Sequence, residues 1–323
     1  MRSDSTLLML DKDVVEQLLQ PDDVTDAVRE AFLLHGRREG RVFPVVREKL
    51  STGGIFGIKS GDVPSQGLLG FKAAGFWPGN RQLGGEPHQA TILLFDPATG
   101  RPLCVIDGNA ITTVRTGAAG GLGLRALARA DSTRITVFGT GVQARSQLRF
   151  ALRTLPHVSR IDYVSVDGKA DAGFESVFTA KCDIRCARSA NDAVAESDVV
   201  ITATPGSGPL FDASALRAGT HLNCVGADTA GKRELPPGVL ERARVIVDDR
   251  EQALHLGELQ WAREAPCVEM GDVLLGNVPL ERAANDITVF DMTGLALQDL
   301  TVARLIYRRA AEQDLGHRLA WPW

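Results

Sequence analysis

Residues 135–148 read Ile135-Thr-Val-Phe-Gly139-Thr-Gly141-Val142-Gln143-Ala144-Arg-Ser-Gln-Leu148. This is a β-branched run, then G-x-G-x-x-A, then a helix-forming stretch. Each small residue has a physical task. Gly139 permits a tight turn, Gly141 lets backbone approach a pyrophosphate, and Ala144 keeps the helix close to the strand. The helix start then offers backbone N–H groups and a positive dipole end to phosphate. Gly139, Gly141, Val142 and Gln143 are therefore candidate contacts to a dinucleotide. The next apolar run ends at Val166-Asp167-Gly168, 28 residues after Gly139. The usual interval is about 20, and the segment 155–160 accounts for part of the excess. Asp167 could accept hydrogen bonds from ribose hydroxyls and repel a 2′-phosphate, which favours NAD. Lys169 nearby could serve a phosphate and keeps NADP open. Asp167 could equally be a turn residue alone.

A second set of polar residues lies in the first third of the chain and needs explaining. Arg47, Lys59, Lys72 and Arg115 each sit within apolar surroundings, where an unpaired charge is costly. Any one could be a snorkelling side chain or half of an internal ion pair. Four together suggest a pocket for an anionic substrate, with arginine offering two-pronged carboxylate geometry. His88 and Gln89 are further candidates, although a single histidine also serves structural ends. Asp228 follows the apolar run His221–Val225, where loops at strand ends build ligand crevices. It is a candidate proton-transfer group or a loop former. Met292 and Thr293 follow the last such run and could border a nicotinamide.

The elements that position these residues can be read from periodicity. Residues 11–40 read as helix, with Asp11 or Asp13 as cap and Val14, Val15, Leu18 and Leu19 at helical spacing. From Val42 to Ile106 short apolar runs (Phe43–Val46, Ile55–Ile58, Leu68–Ala74, Ala90–Phe95, Leu103–Ile106) are broken by Gly, Pro and Asn, which predicts a mainly antiparallel sheet. Residues 110–129 read as a helix whose glycines imply close packing. Beyond Arg134, strands at Ile135–Phe138, Ile161–Val166, Val199–Thr202, His221–Val225, Val245–Val247 and Ile287–Phe290 alternate with helical stretches, which predicts a parallel sheet covered by helices. Leu295–Ala311 reads as an amphipathic helix. The fold class is thus α/β: a Rossmann doubly wound parallel sheet plus an α+β domain.

Composition narrows the classes. The 323 residues allow two domains, and 36 basic against 40 acidic side chains give a net charge of -4. That balance argues against nucleic acid. No apolar run reaches membrane-span length, and the first residues lack the pattern of a secretory signal, so a cytoplasmic protein is expected. Five scattered cysteines suit free thiols. Cys182 and Cys186 are the one close pair, and no nearby partners complete a zinc site.

Several of these segments together resemble the ornithine cyclodeaminase/mu-crystallin family: Phe71-Lys72, Phe76-Trp-Pro-Gly-Asn80, Leu94 through Gly100, Ile111-Thr-Thr-Val-Arg115-Thr116, Gly139 through Arg145, Gly226-Ala-Asp228-Thr-Ala-Gly-Lys232-Arg-Glu234-Leu235 and Thr293 through Asp299. They run from about residue 42 to 305. The family contains cyclodeaminases, ketimine reductases, and alanine and opine-type dehydrogenases. The resemblance implies a homodimer formed through the substrate-domain sheet. It implies a substrate-binding and dimerisation domain over 1–115, completed by a C-terminal helix at about 300–323, and an NAD(P)-binding domain over 116–299. By the same resemblance Arg47, Lys72 and Arg115 hold a substrate carboxylate and Asp228 handles protons at the reacting nitrogen. Thr116, Asp228, Met292 and Thr293 join the cofactor contacts, and Lys72 joins Asp228 as a catalytic candidate.

One departure matters. Ornithine cyclodeaminases resemble one another in an acidic residue followed by Leu-Met-Pro near the strand at 55–60, whereas this chain has Ile55-Phe-Gly-Ile-Lys59-Ser60. An acid suited to a substrate ammonium is replaced by a cation. The segments 43–48, 56–61, His88-Gln89 and Leu256-Gly-Glu-Leu-Gln260 look like a narrower branch that includes iminosuccinate reductase and the ectoine-utilisation protein EutC. The expectation is an NAD(P)H-dependent reductase of a small 2-imino acid, with iminosuccinate preferred and Lys59 reaching a second carboxylate. A cyclodeaminase releasing ammonia with catalytic NAD, and a mu-crystallin-like binding protein, are the alternatives.

Overall fold

The computed structural model describes residues 5–321. The first part runs β1 (Thr6–Leu10), α1 (Lys12–Leu18), α2 (Pro21–Gly36), β2 (Arg41–Val42), β3 (Val46–Lys49), β4 (Ile55–Val63), β5 (Leu68–Phe76), β6 (His88–Phe95), β7 (Pro102–Asp107) and α3 (Gly108–Leu127). Then follow β8 (Arg134–Phe138), α4 (Val142–Thr154), β9 (Arg160–Val164), α5 (Ala172–Glu175), β10 (Asp183–Cys186), α6 (Ala190–Glu196), β11 (Val199–Thr202), β12 (His221–Cys224) and β13 (Arg244–Val247). The chain ends with α7 (Arg250–Leu256), β14 (Cys267–Glu269), α8 (Met270–Leu275), β15 (Thr288–Asp291), α9 (Ala296–Glu312) and β16 (His317–Ala320). Contacts divide it into two units. One holds the residues up to Arg115 and those from Leu295 onward; the other is Thr116–Gly294.

The first unit is built on a sheet in the order β16-β1-β7-β6-β5-β4-β2, with β3 also on β4. It is antiparallel except where β1 lies parallel to β7. The predicted single helix over 11–40 is two helices. Asp11 caps the first by accepting from the Val14 N–H at 3.0 Å. Pro21, which has no N–H to continue a helix, starts the second. The expected strand Phe43–Val46 is also corrected, because after the Phe43 N–H bonds Ser60 O at 2.9 Å the ladder breaks and resumes at Val46. Pro44 between them has no N–H to give a ladder. The C-terminal segment does not stay helical; α9 ends at Glu312 and β16 pairs antiparallel with β1.

The inner side chains of α2 (Val24, Val28, Ala31, Phe32) are fully buried and pack against α9. In turn α9 lies on β4 and β5. There the cross-strand pair Gly61 and Gly70 leaves room for Leu297 and Leu300. A Cβ at Gly70 would sit 2.5 Å from Leu93 O and 2.8 Å from the Leu300 side chain. This glycine seat brings the first turn of α9 down onto the sheet, which decides where Gln298 and Asp299 end up.

The second unit is a wholly parallel sheet, order β10-β9-β8-β11-β12-β15-β13-β14. Its central strands are buried along their length, as expected where helices cover both faces. The chain winds from β8 outward to β10, then returns to β11 on the other side of β8. The carboxyl ends of β8 and β11 therefore form a switch point, where such sheets take their ligands. The second strand ends at Val164 rather than Val166, because residues 165–168 close a turn with the Gly168 N–H on Ser165 O at 3.3 Å. The small-residue helix α3 is approached closely, as its composition implied. Gln147 Nε2 reaches Thr116 O at 2.8 Å and Asn223 Nδ2 reaches Gly120 O at 3.1 Å. Among the described residues no helix is long and apolar enough to cross a membrane.

The glycine seat gives a first prediction. Gly70→Ala should destabilise the protein by about 1–3 kcal/mol through overpacking. Urea denaturation would show this as a lowered midpoint with unchanged slope; an unchanged midpoint would contradict the close approach of α9.

Candidate active site

In the second unit, the turn after β8 has the shape its sequence implied. Gly139 sits at φ +95°, in the left-handed region, and a Cβ there would lie 2.8 Å from Ala203 O. At Gly141 the space a Cβ would fill is open, with nothing within 4 Å. Gly141 is the N-cap of α4 and no side chain caps that helix. Val142, the first residue of α4, is exposed although apolar, and Ala144 is fully buried. An open cradle beside uncapped N–H groups fits a dinucleotide pyrophosphate.

The other cofactor candidates fall on loops at strand ends or beside this turn. Asp167 is exposed just beyond β9, where its Oδ1 accepts from the Lys169 N–H at 3.1 Å. Thr293 follows β15 and donates to Asp248 Oδ1 at 2.7 Å, while the Gly294 N–H bonds the other oxygen. Met292, buried, donates its N–H to Cys224 O at 3.0 Å. Thr116 is buried in α3 and its carbonyl accepts from Gln147.

Asp228 lies in the loop after β12. Its Oδ1 accepts from Lys232 Nζ at 2.8 Å and from Thr229 Oγ1 at 3.1 Å. Lys232 also reaches Gly226 O at 3.2 Å. Lys232 was not singled out by sequence reasoning. The signal was present, since an acid and an amine four residues apart in a glycine-containing loop can meet through a turn.

In the first unit, the sheet register gathers the cations. Arg47 is opposite Gly57, Lys59 is opposite Lys72, and Phe76 is opposite His88. Side chains alternate along strands, so Arg47, Lys59, Lys72 and His88 share one face. Gln89 falls on the other face, exposed, with its Nε2 on Glu86 O at 2.9 Å. The expectation for Gln89 is therefore corrected: the two-residue period separates it from its neighbour His88. His88 itself is half-buried, with Nδ1 at 3.0 Å from Asn109 Oδ1.

Sequence reasoning missed the anion at the centre of this set. Asp299, fully buried on α9, lies 2.8 Å from Lys72 Nζ through Oδ2 and 2.9 Å from Arg115 Nε through Oδ1. Gln298 Oε1 accepts from Arg115 Nη1 at 3.0 Å, and Lys72 Nζ is 3.3 Å from Thr112 Oγ1. Of the two readings of these cations, the internal ion pair is present here for Lys72 and Arg115. Burial, with Arg115 and Lys59 as neighbouring cations, brings the Lys72 ammonium down to about 7, although Asp299 opposes the fall. Burial works to raise Asp299, but Arg115 and Lys72 hold it below the ordinary carboxylate range. The field at Lys72 thus comes from one carboxylate and two further cations, which suits an anionic ligand. A signal for Asp299 existed: a carboxylate inside the apolar run Leu295-Ala-Leu-Gln-Asp299-Leu, at a helix start.

The model of the ornithine cyclodeaminase/mu-crystallin family matches residues 5–314. The chain belongs to that family. It is 34% identical over 319 residues to the alanine dehydrogenase of Archaeoglobus fulgidus, covering 97% of this chain and 98% of the relative. A solved archaeal alanine dehydrogenase dimer with bound NAD superposes with a TM-score of 0.91 at 32% identity, over 98% of this chain and 100% of that one. The iminosuccinate reductase of Paracoccus denitrificans, solved with NAD+, gives a TM-score of 0.89 at 30% identity, over 98% and 99% of the two chains.

The lowered Lys72 makes a pH prediction. An anionic ligand needs the ammonium form, so its affinity should fall as pH rises through about 7 and persist below it. Calorimetric titration of succinate between pH 6 and 9 would show this. Lys72→Arg should abolish the fall, because arginine stays charged. A flat profile in the unaltered protein would contradict the ammonium as an anion-binding group.

Proposed function

We propose that this protein is an NAD-dependent reductase of small 2-imino acids, and that its preferred substrate is the dicarboxylate iminosuccinate, which it converts to L-aspartate. The observation that carries the reading is the cationic face of the first unit. Arg47, Lys59 and Lys72 line up by register, and Arg115 joins Lys72 through Asp299.

Arg115, Lys72 and Arg47 hold the α-carboxylate. Lys59, opposite Lys72, answers the second carboxylate. The exchange of an acid for Lys59 removes a partner for the side-chain ammonium of ornithine, which disfavours cyclisation. Asp228 handles the proton at the substrate nitrogen, either donating it or orienting a water that does. Lys232, bonded to Asp228 Oδ1, fixes the orientation of that carboxyl group.

The cofactor residues are Gly139, Gly141, Val142 and Gln143 for the pyrophosphate, and Asp167 for the ribose hydroxyls. Thr116, Met292 and Thr293 serve the nicotinamide end. When bound, the reduced nicotinamide supplies a hydride to the C=N carbon. The balance is one hydride and one proton per imine, giving the amine and oxidised cofactor. Asp167 carries a negative charge where a 2′-phosphate would lie, so NAD is preferred to NADP. The chain acts as a homodimer, in keeping with its archaeal relative.

Turnover tests the reading. NADH oxidation should be rapid with iminosuccinate, formed in place from oxaloacetate and ammonia, and slow with pyrroline-2-carboxylate. Asp228→Asn should lower kcat by about 10²–10⁴-fold. Ammonia and proline formed from ornithine, with no oxidation of NADH by either imine, would overturn the reductase in favour of a cyclodeaminase.

A further inference from the structure

The segment Leu256-Gly-Glu-Leu-Gln260 was singled out in the sequence, yet the proposed chemistry gives it no task. In the structure it is the short turn after α7, a single 3-10 turn over Glu258–Trp261. This turn grips the loop that carries Asp228 along half its length. Gln260 Oε1 accepts from the Gly231 N–H at 2.7 Å, and Gln260 Nε2 donates to Lys232 O at 3.2 Å. Trp261 Nε1 donates to the same Lys232 carbonyl at 2.8 Å, and the Arg233 guanidinium lies 5.2 Å from the Trp261 ring centre. Glu258 takes the next two amides, Glu234 N at 2.6 Å and Leu235 N at 3.3 Å.

The grip continues at both ends. Glu234 closes the base of the loop by accepting from the Gly226 N–H at 2.9 Å. It also accepts from the Thr204 N–H and hydroxyl, each at 2.7 Å. Asp291, at the end of β15, anchors the turn by accepting from the Leu259 N–H at 2.9 Å. Glu234, Glu258 and Asp291 are all buried to 1% exposure or less. Each carboxylate is aimed at backbone N–H groups. Burial, with Asp291 and Glu234 nearby, pushes Glu258 up to about 8. A turn needed only for packing could be built from apolar residues without this desolvation cost.

We propose that the turn Glu258–Trp261 is a clamp that sets the position of Asp228, with Glu258, Gln260 and Glu234 as positioning residues for the proton transfer at the substrate nitrogen. The inference rests on the role of Asp228 in the proposed function. Lys232 contributes both ends of the device: its carbonyl is held by Gln260 and Trp261, and its ammonium holds Asp228.

The test uses Gln260→Ala, at a half-buried position whose loss leaves the sheet intact, in the full-length protein. Three measurements are made: steady-state kinetics with NADH and iminosuccinate, amide hydrogen exchange of residues 226–235, and a double-mutant cycle with Asp228→Asn. The clamp predicts exchange in 226–235 faster by about tenfold or more while the sheet strands stay protected. It predicts kcat lowered about tenfold with KM nearly unchanged, since small misplacements of a catalytic group cost up to ~10²-fold. Gln260→Glu, which keeps the acceptor for Gly231, should recover part of that loss. In the Asp228→Asn background Gln260→Ala should cost nothing further, because the two act as one unit. An equal loss in both backgrounds, an unchanged kcat, or exchange raised equally throughout the protein would each overturn the proposal. If Asp228→Asn alone leaves kcat intact, the role of Asp228 fails instead, while the exchange data still decide whether the turn holds the loop.

Discussion

The buried carboxylate of Asp299 organises the first unit. Lys72, Arg115 and Asp299 are all nearly or fully removed from water. Any one of them alone would carry a desolvation cost of several kcal/mol. Lys59 directly opposite Lys72 is a like-charge pair of the kind that destabilises a sheet. Asp299 offsets these costs because it reaches Lys72 and Arg115 through separate oxygens. It can do so only because α9 comes down onto Gly61 and Gly70. The packing of a helix against a glycine seat, a matter of apolar contact, therefore determines the geometry of a charged site.

The second unit solves a related problem with different materials. Its ligand loops leave the carboxyl ends of parallel strands, where backbone groups lose their ladder partners. Buried carboxylates take up those groups. Asp248 accepts from Thr293 and the Gly294 amide, Asp291 from Leu259, Glu258 from Glu234 and Leu235, and Glu234 from Gly226 and Thr204. Each such bond satisfies a loop donor that burial would otherwise leave unpaired, so loops that would otherwise fluctuate are held at fixed positions. The phosphate turn is treated in the opposite way: the Gly141 cradle and the start of α4 are left open.

What could be read in the sequence follows from whether a signal is local. The strand–glycine–helix turn at 135–148 is local, and its structure matches the reading at each glycine. The alternation of strands and helices beyond Arg134 is also local. In the parallel sheet the charged edge strand Asp183–Cys186 and the three-residue β14 escaped notice, because neither carries an apolar run; in the first unit β1 and β16 were missed as well. The four cations were visible as charges in apolar settings, but Asp299, the partner of Lys72 and Arg115, lies 184 residues from Arg115, and no periodicity links the two. Gln89 was misjudged for a simpler reason. Adjacent residues in a strand face opposite ways, and His88 and Gln89 cannot both join the same face. The clamp was visible only as a motif without a task, since its meaning lies in contacts with a loop some thirty residues earlier.

The proposed reduction of an anionic imine rests on two features: a positively charged face that includes a lysine poised near neutrality, and an acid, Asp228, held by its own loop. The most direct test is selectivity at Lys59. The ratio of kcat/KM for iminosuccinate to that for 2-iminopropionate, formed from pyruvate and ammonia, should be measured in the unaltered protein and in Lys59→Met. The account predicts that the variant loses about tenfold or more of this ratio, the cost of one charge-assisted contact, with the monocarboxylate rate little changed. An equal loss for both substrates, or none for either, would contradict Lys59 as the group that recognises a second carboxylate.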